Sequence, residues 1–112
     1  MFNNALYSYD GTKLVYVAYS GNSDFSIADG TTTIGEFAFY RSTNKFTSVT
    51  IPVSVTKIEQ YAFTTVTGLT SITYLGTVEQ FNAITKDSNA FIDCPVSQVT
   101  CSDGSVTVVT SD

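Results

Sequence analysis

A block near the start of this chain recurs 24 residues later, and this recurrence limits the folds that the chain can adopt. Residues 25–48 align with residues 49–71. The matched positions are mostly apolar: Phe25 with Val49, Ile27 with Ile51, Ile34 with Ile58, Phe37-Ala38-Phe39 with Tyr61-Ala62-Phe63, and Phe46 with Leu69. A unit of this length cannot bury its apolar face alone, so the copies must stack on one another. The period therefore predicts a solenoid.

The repeat continues past residue 71 in an altered form. The third copy is longer, since 28 residues separate Phe63 from Phe91. The corresponding residues of the later copies are Ile72 and Tyr74 for Val49 and Ile51, Ala90-Phe91 for Ala62-Phe63, and Val99 and Cys101 at the start of a fourth copy. About three and a half copies are close to the minimum for a stable stack.

Each copy has the spacing of a strand followed by a short helix. Val49-Thr50-Ile51 alternates apolar and polar residues, which predicts a half-buried strand. Pro52 ends that strand because proline cannot donate a hydrogen bond to the ladder. Ile58, Ala62 and Phe63 recur at helical spacing. The sequence thus predicts an α/β solenoid, a short right-handed leucine-rich-repeat stack with a parallel sheet on one face and short helical turns on the other.

Both ends of the chain carry a hairpin signal centred on an Asp-Gly pair. Asp-Gly favours a type I′ turn, so we expect two-residue turns at Asp10-Gly11 and Asp103-Gly104. The pairs expected across the second turn are Ser102 with Ser105, Cys101 with Val106, Thr100 with Thr107, and Val99 with Val108. We expect the hairpins to cap a single domain, 1–112, and to protect it from edge-to-edge pairing. The expected parts are an N-terminal cap at 1–24, about three repeats at 25–96 and a C-terminal cap at 97–112.

Composition and charge exclude several classes of partner. The chain has ten acidic and five basic residues, a net charge of −5, and its bases are scattered. Nucleic acid and anionic membranes are therefore poor candidates. No apolar run approaches the roughly 20 residues that span a membrane, so no insertion is expected within this chain. The first ten residues lack the features of a signal peptide, as in a cytosolic protein or in a chain whose leader is missing.

The residues that usually carry chemistry are few. The chain has no histidine, which excludes the common catalytic triads and most catalytic zinc sites. Its two cysteines, Cys94 and Cys101, occupy core positions of the repeat, which favours buried thiols, and a disulfide between them is the alternative. Neither a metal site nor a cofactor is predicted.

Three glutamates recur near one position of the repeat, at Glu36, Glu59 and Glu79. Carboxylates facing each other across coils could resemble a glycosidase pair. The simpler interpretation is that they begin short helices, where the macrodipole favours negative side chains. We therefore expect a protein that is not an enzyme.

One surface remains as a candidate site. If Val49 and Ile51 point inward, the residues between them point outward and form a row of hydroxyl side chains along the sheet. The candidate binding residues are Ser26, Thr50, Thr73 and Thr100, with Leu75 beside them. Threonine is also a good surface residue of strands, so a purely structural role is the alternative. Solenoids often bind partners through such a sheet, and here that partner would be a protein or a glycan.

Several segments resemble the BspA-like class of leucine-rich repeats. They are IGEFAF at 34–39, VTIPVSVTKIEQYAF at 49–63, LTSITY at 69–74, and the YLGTVEQFNAI and CSDG segments that begin at 74 and 101. Glu59, Val66 and Phe81 depart from the usual glycine, cysteine and tryptophan of that pattern. The resemblance implies a cell-surface or secreted protein associated with adhesion, and it brings no catalytic residues.

These features predict a non-catalytic interaction or adhesion module that binds through its exposed Ser/Thr-rich sheet. The expected partner is a surface protein of a host or neighbouring cell, with a glycan as the other candidate. The alternative is a structural spacer within a larger surface protein, which would have no ligand of its own.

Overall fold

The repeating units of the sequence form two stacks of strands, which pack around one core. A computed structural model describes residues 4–18, 24–39, 47–64 and 68–110. These residues form a β-solenoid of about three turns. The stacking of repeats into a solenoid confirms the prediction, whereas the predicted α/β character is not confirmed. Sheet I contains, in spatial order, β10 (Gly104–Thr107), β9 (Gln98–Cys101), β7 (Ser71–Tyr74), β5 (Ser48–Ile51) and β3 (Asp24–Ser26). Sheet II contains β1 (Asn4–Tyr7), β2 (Lys13–Ala18), β4 (Thr33–Ile34), β6 (Lys57–Ile58) and β8 (Thr85–Lys86).

Sheet I has the register that the repeat predicts. Phe25 pairs with Val49, Val49 with Ile72, and Ile72 with Val99, all between parallel strands. The burial pattern of β5, β7 and β9 alternates, with the apolar residues inside. β5 ends at Ile51, immediately before Pro52. The aligned residues of successive copies are therefore neighbours across the sheet.

Sheet II takes the place of the helical turns that the sequence predicts at 34–39 and 58–63. Each of these segments is a two-residue strand followed by a turn. Several of their backbone N–H groups donate to neighbouring coils instead of to a preceding helical turn, whereas Ala38 N and Ala62 N donate within their own turns, to Gly35 O and Glu59 O. Glu59 N donates to Ile34 O at 2.9 Å, and Phe63 N donates to Ala90 O at 2.9 Å.

The turns also contain residues that a right-handed helix excludes. Phe37 and Tyr61 have φ values of 59° and 58°, in the left-handed region. A single residue in this conformation costs about 1–2 kcal/mol for a non-glycine side chain and interrupts a helix. Hydrogen bonds between coils and these conformations together explain why the helical prediction is wrong for the two segments.

Within the described ranges, the assigned α-helix is α1 (Val78–Asn82), in the longer third copy. Thr77 caps it: the Thr77 hydroxyl accepts from Gln80 N at 3.1 Å, and Thr77 N donates to the Gln80 side chain at 2.9 Å. This reciprocal capping satisfies donors that the start of a helix leaves free. Phe81, on the buried side of α1, packs edge-on against Tyr74 with ring centroids 5.4 Å apart.

A stack of phenylalanine rings runs through the core from coil to coil. Phe39, Phe63 and Phe91 lie nearly parallel, with successive ring centroids 4.9 Å apart. Phe25 meets Phe39 edge-on at 5.8 Å. Phe39 and Phe63 are fully buried, so these rings form part of the core between the two sheets.

Antiparallel hairpins join β1 to β2 and β9 to β10, but neither has the predicted type I′ turn. In the first hairpin residues 8–12 form the loop, and Asp10 accepts hydrogen bonds from Ser8, Thr12 N and the Thr12 hydroxyl. Gly11 has a positive φ, at 78°, but Asp10 does not. The aspartate side chain therefore organises a wider loop than its Asp-Gly pair predicted.

The second hairpin differs from the predicted register by two residues. Cys101 pairs with Gly104 and Val99 with Val106, so the loop is Ser102-Asp103. The preceding coil fixes this loop: Val78 N donates to the Asp103 carboxylate at 2.8 Å, and Ser102 N donates to Gly76 O at 2.9 Å. A shift of two residues leaves each side chain on its predicted face, which is why alternation could not reveal it.

Some predictions on domain organisation stay predictions. These are the division at residues 24 and 97, the capping role of the hairpins and the right-handed sense of the coil. The match of Phe46 with Leu69 lies outside the described residues, as do positions 1–3, 19–23, 40–46, 65–67 and 111–112.

The ring stack leads to a stability prediction. We expect Phe63→Ala to lower the free energy of unfolding by about 3–5 kcal/mol, because it removes a buried ring that contacts two others. Urea unfolding followed by circular dichroism measures this loss. Tyr9→Ala is the control, since Tyr9 is fully exposed, and we expect it to change the stability by less than about 0.5 kcal/mol. Similar losses for the two variants would contradict a core built on the stack.

Candidate functional site

The outward residues of sheet I form a continuous row across four strands. Ser26 pairs with Thr50, Thr50 with Thr73, and Thr73 with Thr100. Ser26 and Thr100 are exposed, whereas Thr50 and Thr73 are half-buried between neighbours. We call these four residues the hydroxyl row. The structure brings the four predicted residues together, and binding by them stays a prediction.

The predicted flanks of the hydroxyl row are uneven. Leu75 directly follows β7 and is 59% exposed, so it presents an apolar side chain beside the row. The equivalent residue of the preceding coil, Pro52, is buried. Pro52 begins a turn in which Val55 N donates to Pro52 O at 3.3 Å, and this turn changes the direction of the chain.

A cleft that the sequence did not predict lies beside the row between β7 and β9. β5 and β7 pair through four residues, but β7 and β9 pair through only two. The cleft has a volume of about 520 Å³ and includes Ser71, Thr100, Pro95 and Val96 in its lining. The extra residues of the third copy lie between β7 and β8, where α1 forms, so they give no signal for this cleft. Before β9 the copy is not longer, since Phe91 and Val99 are eight residues apart and Phe63 and Ile72 are nine apart.

The two sheets differ in charge. Lys13, Lys57 and Lys86 all belong to strands of sheet II, whereas the described strands of sheet I contain no lysine or arginine. Asp24 is the acidic residue within those sheet I strands, and its carboxylate accepts a hydrogen bond from Ser48. The face that carries the hydroxyl row is therefore nearly uncharged, and a partner would not need to neutralise buried charge there.

Glu59 is the centre of a polar network on sheet II. Its carboxylate lies 3.2 Å from Lys13 Nζ and 3.7 Å from Lys57 Nζ. Glu36 N donates to Glu59 Oε1 at 3.1 Å, and Gln60 Nε2 donates to Glu36 Oε2 at 2.9 Å. Burial acts to raise the pKa of Glu59, but the Lys13 and Glu36 hydrogen bonds and the charges of Lys13 and Lys57 lower it overall.

This network corrects the interpretation of the three glutamates. Glu79 does lie in the first turn of a helix, as predicted. Glu36 and Glu59 follow strands of sheet II and begin no helix. Hydrogen bonds between coils involve both carboxylates, and Glu59 also contacts two lysines, so the pair has the character of a structural network. The lowered pKa of Glu59 is opposite to the raised pKa that a general acid of the glycosidase type needs.

Lys86 occupies a position that isoleucine fills in the preceding coils. In sheet II, Ile34 pairs with Ile58, and Ile58 pairs with Lys86. The Lys86 ammonium donates to Phe81 O at 3.0 Å and to Ile84 O at 2.8 Å, and it lies 4.9 Å from the Phe81 ring centroid. Desolvation by burial lowers its pKa. The last coil therefore replaces an apolar core contact with a cation that binds carbonyls near the end of α1.

Both cysteines are free thiols with buried side chains, as the first of the two interpretations predicted. Burial raises the pKa of Cys94. Burial and the nearby Asp103 carboxylate raise the pKa of Cys101. A raised pKa disfavours the nucleophilic thiolate, so neither cysteine has the environment of a reactive thiol.

In the described ranges, no group of three or more histidine, cysteine or acidic residues is placed to hold a metal ion. No helix there is long and apolar enough to cross a bilayer.

Comparison with protein families gives a clear match. Residues 16–112 match the family described as "BspA type Leucine rich repeat region (6 copies)". The chain belongs to the BspA-type leucine-rich repeat family. In this BspA-type domain the family match covers the coils and the C-terminal hairpin, including every residue of the hydroxyl row.

Comparison with solved structures supports the fold of this BspA-type domain. It is similar to a crystal structure of a leucine rich cell surface protein from Faecalibacterium prausnitzii A2-165, with a TM-score of 0.58 and 22% sequence identity. The similarity covers 87% of this chain and 27% of that chain, so this chain spans about a quarter of that protein's length. No match was found among curated proteins.

The lowered pKa of Glu59 predicts how the stability of the BspA-type domain depends on pH. A carboxyl whose pKa is lower in the folded state stabilises that state above the unfolded pKa, near 4.5, and loses this contribution as the pH falls through the folded value. We expect Glu59→Gln to lower the free energy of unfolding at neutral pH by about 0.5–1 kcal/mol, as expected for a surface ion-pair network.

Urea unfolding of wild-type and Glu59→Gln proteins at a series of pH values measures this contribution. The difference between the two should shrink below pH 4.5. Glu79→Gln serves as control, because Glu79 makes no ion pair with the described residues. The difference in unfolding free energy between wild type and Glu79→Gln should change less with pH. A difference that stays constant through acid pH would contradict the assigned role of Glu59.

Proposed function

We propose that this BspA-type domain is a non-catalytic interaction or adhesion module that binds its partner through the outward face of sheet I. The observation that supports this most strongly is the hydroxyl row, Ser26, Thr50, Thr73 and Thr100, which four hydrogen-bonded strands hold at adjacent positions. Hydrogen-bonding groups on a rigid sheet lose little conformational freedom when a partner binds. The row is therefore a better prepared binding surface than a flexible loop.

The surroundings of the row supply the apolar contacts that a protein interface needs. Leu75 is exposed beside Thr73, and the cleft bordered by Pro95 and Val96 opens beside Thr100. Protein interfaces commonly combine a few apolar anchors with a polar rim. This combination supports a protein as the main partner, with a glycan as the second candidate.

The proposed location is the cell surface or the extracellular medium. The family match and the similarity to a leucine rich cell surface protein support this location. Because the chain spans 27% of that protein, the activity of a longer protein would include contributions from other regions. The domain would present the hydroxyl row to a surface protein of a host or neighbouring cell.

The hairpins fit the same proposal as caps of the stack. β2 covers β4 at one end of sheet II, and β10 covers β9 at one end of sheet I. By ordering the terminal coils, they would keep the row straight across its full length.

A triple substitution tests the binding face. We expect Thr50→Lys, Thr73→Lys and Thr100→Lys, combined, to weaken partner binding at least about tenfold, because three long charged side chains would prevent close contact. Binding is measured with labelled domain on immobilised extracellular-matrix proteins and on a glycan array.

The matched control carries three lysines away from the row, at Thr56, Thr85 and Ser88, which are all exposed. It adds the same charge and should leave binding intact. Equal binding by the wild-type, row and control proteins, with unfolding curves that show all three folded, would overturn the binding face. A wild-type protein that binds nothing on either surface would favour a spacer.

A further inference from the structure

Among the described residues, the first strand forms an open edge of sheet II. β1 pairs with β2 on one side, and the sheet order begins at β1. No described residue hydrogen-bonds to the other side of this strand as a further strand of the sheet. We propose that β1 pairs antiparallel with β1 of a second copy of this chain, so that two copies of sheet II form one continuous sheet.

The N-terminal hairpin replaces one edge strand of sheet II by another, so the sheet still has an open edge at this end. The sequence predicted that the hairpins protect the stack from edge-to-edge pairing, but an open sheet always retains two edges. Here β2 covers the parallel strand β4, and β1 becomes the new, antiparallel edge. An exposed edge with free N–H and C=O groups is a template for another strand.

The other three edges carry features that oppose pairing. β8 has two residues and includes Lys86, and β3 has three residues and includes Asp24. β10 lies against α1, and its loop is held by the hydrogen bond from Val78 N to Asp103. Short length, charge and coverage are the usual means by which proteins protect sheet edges. β1 and β10 have the same length and no charge, so the contact of β10 with α1 is what distinguishes the two edges. The bulge in the β1–β2 hairpin adds its extra residue to β2 and leaves β1 regular.

Apolar side chains lie beside the β1 edge. Leu6 is 60% exposed, and its direct cross-strand neighbour Tyr16 is 39% exposed. The bulge after Leu6 places two consecutive residues of β2, Val15 and Tyr16, at the surface, whereas Leu14 and Val17 are buried. A strand added at β1 would cover part of this patch, and burial of apolar surface would strengthen the pairing.

A second copy fits this edge better than another edge of the same chain. An antiparallel edge that pairs with itself gives a two-fold, closed contact in which each strand supplies the same residues. The chain has a net charge of −5, but β1 is uncharged, so this pairing avoids direct contact between like charges. Pairing of β1 with β3 or β8 would join unlike edges and bring Asp24 or Lys86 into the contact.

β1 is also held in place for pairing. Ala28 N donates to Tyr7 Oη at 3.0 Å, which ties the end of β1 to the segment after β3. A strand that is already ordered loses less conformational entropy on binding. This surface lies on sheet II and does not involve the hydroxyl row, so the proposal is independent of the binding face on sheet I.

Sedimentation equilibrium of the full chain, with any affinity tag placed after Asp112, tests the proposal. The measured mass of wild-type protein should rise with concentration from 12.1 kDa toward twice that value. Leu6→Lys should weaken this self-association at least about tenfold, because each copy would bring a charge to the pair. The matched control is Leu75→Lys on sheet I, where the leucine is 59% exposed, and it should associate like wild type.

A mixing experiment tests the geometry of the pair. Leu6→Lys and Leu6→Glu should each remain monomeric, whereas their equimolar mixture should form a dimer, because opposite charges across an antiparallel pair attract. Thermal unfolding verifies that all variants are folded. A wild-type mass that stays at one copy, association of Leu6→Lys equal to wild type, loss of association in Leu75→Lys, or a mixture that stays monomeric would each overturn the proposal.

Discussion

The structure depends on the distance between successive coils, because the hydrogen-bonded strands and the stacked phenylalanine rings require the same distance. Hydrogen-bonded strands lie about 4.8 Å apart, and this is also a favourable separation for stacked aromatic rings. The rings of Phe39, Phe63 and Phe91 follow one another at 4.9 Å. The ladders of both sheets and the ring stack therefore require the same rise from coil to coil. A change in one would disturb the other, so strand register and core packing stabilise each other.

Sheet I contains the features that could be predicted from the sequence alone. The pairing of Val49 with Ile72 follows from matching the copies, and the outward position of Thr50 and Thr73 follows from alternation. Such patterns determine which residues share a face. They do not determine where a backbone N–H finds its acceptor. Segment 58–63 has helical spacing, yet Glu59 N, Tyr61 N and Phe63 N donate to neighbouring coils, and a pattern within one copy contains no information about that choice.

The parts that sequence analysis missed depend on contacts between distant residues. The register of the second hairpin depends on hydrogen bonds from the Val78 region to Asp103 and from Ser102 to Gly76. The cleft near Thr100 depends on how the segment before β9, at Pro95 and Val96, lies against the segment before β7. The members of the candidate site could be predicted because they repeat. Its shape could not, because it depends on contacts between two coils that no single copy contains.

Lys86 limits the positions at which a further coil could be added to a stack of this kind. A duplicated copy inserted before β7 would find a hydrogen-bonding ladder and an apolar column on both sides. A copy added beyond β8 would have to place its isoleucine against the Lys86 ammonium, which already binds Phe81 O and Ile84 O. Gene duplication in such a chain is therefore tolerated in the interior and opposed at the end. Each interior insertion would extend the hydroxyl row by one residue without changing the two hairpins.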